Sequence, residues 1–122
     1  MVDRINVVRR EHGVPELKIG QALMDAAQTC SGYLLSQHNN RLECETIANA
    51  GYPHGFGSNL TVFTSAVDIA EHAVTNWENS PGHLKTMIDP RADSVGVGVA
   101  VDSSRTFCYM LTGIPNTINP HS

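Results

Sequence analysis

The eight residues Ser94-Val95-Gly96-Val97-Gly98-Val99-Ala100-Val101 constrain the fold more than any other stretch. Their strict alternation puts every valine on one face of a strand and only small residues on the other. Gly96 and Gly98 leave that second face bare, so a helix can pack on it with no side chain intervening. Asp102-Ser103-Ser104-Arg105 reads as a turn, and Thr106 to Thr112 as a second strand. The pair is a β-hairpin that needs cover on both faces.

The rest of the chain supplies helices. Val2, Ile5 and Val8 recur at helical spacing over residues 2–12, and Gly13 with Pro15 ends that run. Residues 15–19 read as an extended connector. A second helix is predicted from about Gly20 to Ser36, with Leu23, Ala26, Ala27, Cys30, Tyr33 and Leu34 on its buried face. A third runs from about Arg41 to Ala50 with Leu42, Ile47 and Ala48 inward, after the cap-forming Asn39-Asn40. Residues 52–59, rich in glycine, read as a loop, and Leu60 to Phe63 as a short strand. Ser65 and Asp68 have capping-box spacing for a fourth helix, whose apolar face ends on Trp77. One further turn, His83 to Ile88, stops before Pro90.

These patterns predict an α/β (α+β) chain, a three-layer α-β-α sandwich with a small, mainly antiparallel sheet. One domain is expected over residues 1–113, with a frayed tail over 114–122. A monomer is expected. The formal charge is −4, with the eight Lys and Arg scattered. The one basic cluster, Arg4 with Arg9-Arg10, reads as a solvated helix face, which argues against nucleic-acid binding. No apolar run is long enough to span a membrane. No signal peptide opens the sequence, which leaves an intracellular protein or one whose targeting segment lies outside it. Cys30, Cys44 and Cys108 allow one disulfide in three ways, and the sequence does not choose among them. Cys30, on a helical apolar stripe, reads as a small buried hydrophobe.

The segment Trp77-Glu78-Asn79-Ser80-Pro81-Gly82-His83 resembles a signature of the CAP superfamily, the cysteine-rich secretory, antigen 5 and pathogenesis-related 1 group. Asn6-Val7-Val8-Arg9 with Gly13, Pro15 and Leu17, then Leu23 to Gln28, Ala50-Gly51-Tyr52 and the Val-Gly run resemble its other segments in order. The form is the short, prokaryotic-style one.

That resemblance implies a secreted domain with a cavity lined by two histidines and two acidic residues, able to bind divalent metal in some members. His83 fits the histidine after Pro-Gly, and His38 the one after the second helix; these are the metal candidates. Ser58 stands where a cavity glutamate is expected, in Gly57-Ser58-Asn59-Leu60. The second acidic residue, expected shortly after Trp77, has no match, since Glu78 points off that face. His54 is a third candidate if the glycine loop folds over the cavity. In that arrangement Phe56 is the apolar contact, and Ser58 and Asn59 supply hydrogen bonds. His83 opens a helix, where the dipole and free N–H groups favour a neutral imidazole. It equally suits a polar residue bonded to the neighbouring loop.

Two histidines without a carboxylate hold Zn²⁺ only weakly, since a catalytic zinc takes three protein ligands. Ser58 or Ser80 near His83 lacks the orienting acid and elbow that a nucleophile needs. The expected function is therefore an extracellular binding or interaction module. A lipid, a sterol, another small apolar molecule, a cell-wall component or a protein is its partner. A histidine-dependent, metal-assisted hydrolase is the alternative.

Overall fold

The computed structural model describes residues 1–121. The elements run α1 (Val2–Glu11), β1 (Lys18–Ile19), α2 (Gln21–Gly32), α3 (Asn40–Asn49), β2 (Gly55–Phe63), α4 (Ile69–Glu78), α5 (Pro81–Met87), β3 (Ser94–Asp102) and β4 (Arg105–Ile114). The sheet order is β1-β3-β4-β2, antiparallel except for the short parallel pair of β1 with β3.

The hairpin forms as its alternation predicts, with Asp102 opposite Arg105. A Cβ built on Gly96 would stand 2.1 Å from the carbonyl carbon of Leu23, and one on Gly98 would stand 2.4 Å from that of Ala27. The bare face therefore receives the backbone of α2. On this side Leu23, Ala26, Ala27 and Cys30 of α2 meet Ile47 of α3, Leu60 of β2, and Tyr109 and Leu111 of β4. The valine face turns the other way. There Val95 joins Met110, Trp77 of α4, Ile5 and Val8 of α1, and Met87 of α5. Trp77 is fully buried. Three layers result, as expected.

Several local expectations are corrected. Helix α2 stops at Gly32, four residues early, because Leu34 takes a left-handed backbone at φ 56°. Tyr33 and Leu34 are consequently exposed rather than buried. Ser65 does not cap α4; its hydroxyl accepts from the backbone N–H of Val67, and Asp68 is the N-cap, at φ 51°. Arg9 is not on a solvated face but fully buried. Its guanidinium donates to the carbonyls of Pro15, Met87 and Asp89, tying α1 to the end of α5. Position 9 faces inward because it lies four residues after the buried Ile5. Nor is the C-terminal stretch frayed up to residue 121. Asn119 is buried, with its backbone N–H donating to Pro53 O and its Nδ2 to Cys44 O. All three cysteines are free thiols, and burial pushes those of Cys30 and Cys108 up to about 11.

The correction that matters most for function concerns residues 55–59. They are strand, not loop, and extend β2 to nine residues paired along β4. Gly57 fits because any side chain there would strike Thr112 Oγ1 and Thr86 Cγ2.

Candidate functional site

Strand β2 lies at one edge of the sheet, and its alternation sends successive side chains to opposite layers. Ser58 points to the α2–α3 side. Its hydroxyl donates to Glu43 Oε1 at 2.8 Å. Asn59 points to the other side, is fully buried, and donates from Nδ2 to the carbonyl of His83 at 2.9 Å. Asn59 thus straps the first turn of α5 to the sheet, using a donor that the sequence had assigned to a ligand.

Glu43 is the centre of the site. Its side chain is 2% exposed, on the face of α3 shared with Thr46 and Ile47. Besides Ser58 it meets His38 Nδ1 at 2.7 Å and the Tyr109 hydroxyl at 2.6 Å, both through Oε2. Burial alone would raise this carboxyl. The bonds from His38, Tyr109 and Ser58 outweigh it and hold the group below the usual glutamate range. Reciprocally, the bond to Glu43 raises His38 despite partial burial. The Nδ1–H is therefore the proton given to Glu43, which leaves Nε2 without a hydrogen-bond partner among the described residues. The His38 side chain is 35% exposed, and its ring meets Tyr109 edge-on with centroids 6.0 Å apart.

The loop after α2 delivers His38, and Asn39 then caps α3 by accepting from the Leu42 N–H. From the opposite layer comes His83, in the first turn of α5. Desolvation lowers it, and so does the charge of His38. It is a neutral imidazole near neutral pH, which agrees with its helix-start position.

The remaining candidates lie differently. Phe56 is partly buried against the α2–α3 core. His54 places Nδ1 3.1 Å from the Thr117 carbonyl and its ring edge-on to Tyr52. None of those partners belongs to the His38–Glu43–Ser58 cluster.

A family model described as CAP, cysteine-rich secretory protein family, matches residues 2–114. The chain belongs to the CAP family. No curated relative matches the sequence. Solved structures share the fold at low identity. An outer surface protein from Borrelia burgdorferi is 17% identical over 92% of this chain and 87% of its own, with a TM-score of 0.76. NaASP2, solved with Zn²⁺, is 12% identical over 97% of this chain and 80% of its own, at 0.74. An extracellular protein containing an SCP domain from Bacillus anthracis is 19% identical over 87% of this chain but only 37% of its own, at 0.67.

In this CAP domain the acid beside His38 comes from α3, not from the stretch after Trp77. Sequence reading missed Glu43. The signal was present: position 43 is four residues before the inward-facing Ile47, so a glutamate there is a charge on an apolar stripe and needs a buried partner.

The cluster's suitability for metal follows from its donors. Glu43 already accepts from three protein groups, and Ser58 is a neutral hydroxyl committed to Glu43. Only His38 Nε2 and the His83 ring remain. Among the described residues no three His, Cys, Asp or Glu side chains converge as a metal-holding group. This set does not fit a tightly held metal ion.

Proposed function

We propose that this CAP domain is an extracellular binding or interaction module that holds its ligand at His38, Ser58 and His83 without chemistry on it. The observation that carries this reading is the engagement of Glu43 by three protein donors. With three internal donors and a depressed pKa, the carboxylate is neither a free base nor a proton donor. It fixes the tautomer and direction of His38, as a carboxylate behind a histidine does at many sites. What faces outward is a polar pair, His38 Nε2 and His83, beside a strand edge.

The histidine-dependent hydrolase draws on the same His38–Glu43 pair, which is half of an acid–base device. It lacks the other half. The Ser58 hydroxyl lies 3.4 Å from Nδ1, the wrong ring nitrogen, and gives its proton to Glu43. No other serine is within bonding reach of either histidine ring among the described residues.

Extracellular location is supported by the B. anthracis neighbour. No helix of the described residues is long and apolar enough to cross a membrane. The ligand classes to screen are lipids, sterols, cell-wall fragments and peptides. Thermal shift with wild type and His38→Ala tests the proposal. A ligand that raises Tm in wild type alone supports it. Turnover of an ester, peptide or glycan that disappears in His83→Ala sinks it in favour of the hydrolase.

A further inference from the structure

The two edges of the sheet are finished in different ways. At the β1–β3 edge, β1 covers the start of β3, and side chains of α2 bond outward groups of Val97 and Val99. Gln28 donates to Val99 O and accepts from Val99 N–H, and Met24 Sδ accepts from Val97 N–H. A side chain there does what a neighbouring strand would do.

The β2 edge has no such closure. The tight turn at Ser103-Ser104 makes Asp102 and Arg105 the first hydrogen-bonded pair of the hairpin. Alternation then sends the peptide groups of Thr106, Cys108, Met110, Thr112 and Ile114 to β2, where they meet Phe63, Thr61, Asn59, Gly57 and Gly55. Phe56, Ser58, Leu60 and Val62 consequently direct their N–H and C=O groups away from the sheet. No group among the described residues pairs with them. This open edge runs between His38, on the α3 side, and His83, on the α5 side.

We infer that the open edge of β2 binds an extended peptide as an added strand, with an acidic residue opposite Ser58. This rests on the reading of the site as a non-catalytic binding cleft and names its ligand class.

Four outward N–H and C=O pairs at strand spacing, left to water in the free domain, match the groups of another extended chain. A residue paired opposite Ser58 presents its side chain to the same layer as Ser58. That layer holds His38, whose Nε2 has no partner among the described residues and whose positive charge is stabilised at this position. A carboxylate there receives the Nε2 proton and complements the charge that depresses His83. An acidic single chain is the occupant that the charge held at His38 beside Glu43 favours.

The test uses the intact domain, labelled with ¹⁵N, and a capped octapeptide of alternating threonine and valine around one central glutamate. Its lysine-substituted counterpart is the comparison. The expected result is at least tenfold slower amide exchange at Phe56, Ser58, Leu60 and Val62 when the glutamate peptide binds. Thr61 and Phe63, already bonded to β4, should not change. The lysine peptide should bind at least tenfold more weakly. Val62→Pro removes one outward donor while sparing the β4 ladder, and should weaken binding without changing the circular dichroism. If that variant fails to fold, the wild-type exchange pattern decides alone. Unchanged exchange at these four amides overturns the inference, and so does their protection in a peptide-free dimer seen by sedimentation. Ester, glycan or peptide turnover lost in His83→Ala would instead remove the non-catalytic reading beneath it.

Discussion

The hydroxyl of Tyr109, on the central strand β4, donates to Glu43 of α3 at 2.6 Å inside the α2–α3 core. Both residues are 2% exposed, so neither finds water if the other is lost. Burial and the Glu43 bond together push the Tyr109 hydroxyl far above its usual range, and it stays a donor at every accessible pH. Tyr109→Phe should cost about 1.5–3 kcal/mol, the range for a hydrogen bond to a charged group. Glu43→Ala strands three donors and should cost about 3–5 kcal/mol. Urea denaturation measures both, and equal losses would contradict the central role of the carboxylate.

The His38–Glu43 pair makes stability depend on pH from both sides. His38 is raised, so its contribution is full below the ordinary value of about 6.5 and is lost as pH rises through its folded value. Glu43 is depressed, so its contribution is present above about 4.3 and is lost as pH falls through its folded value. Both are present between about 4.3 and 6.5. His83, lowered by desolvation and by His38, acts in the opposite sense to His38 and is most favourable above about 6.5. Proton NMR should show His38 titrating above that value and His83 below it. In His38→Gln the loss of stability between neutral and alkaline pH should shrink. A His38 ring that titrates below His83 would reverse the assignment.

Zinc should bind no more tightly than about 10 μM, or about −7 kcal/mol. The outward donors are two imidazoles, with Glu43 turned inward. Ser58→Glu restores a carboxylate on the β2 side and should tighten binding at least tenfold in titration calorimetry. Nanomolar binding by wild type, lost in His38→Ala, would mean that Glu43 releases its donors to take a metal.

Gly98→Ala places a Cβ 2.4 Å from the carbonyl carbon of Ala27, a backbone atom that cannot rotate away. The change should destabilise by about 3 kcal/mol, at the upper end for overpacking. Gly32→Ala meets nothing within 4 Å at the end of α2 and should change stability little. Thermal unfolding of the two variants compares them directly.

Periodicity was most legible where it was strongest. The Val-Gly run fixed the hairpin, its bare face and the layer that covers it, because each glycine there excludes every other residue. Trp77 lay inward for the same reason, at the end of a regular apolar stripe. Boundaries set by single backbone conformations were not legible. Leu34 takes a left-handed angle that leucine seldom adopts, and Asp68 takes one as well, a single-residue choice that leaves no periodic mark at the end of α2 or the start of α4. The glycines of residues 55–57 suggested a loop, although pairing with β4 makes them strand; close packing, not turning, is what Gly57 supplies. Of the candidate site, His38, His83 and Ser58 were singled out through the family resemblance. Glu43 and Tyr109 were not, since their partners come from distant segments and the pairing exists only after folding.

Closure of β3 by Gln28 also limits self-assembly. A sheet with two sticky edges can recruit copy after copy and grow into a filament. Here the β3 end is partly covered from within, by β1 and by the side chains of Met24 and Gln28, so a strand added at the β2 end finds few free groups for continuing the stack on the far edge. Gln28→Ala would free the peptide groups of Val99 and weaken the stop that keeps edge pairing finite.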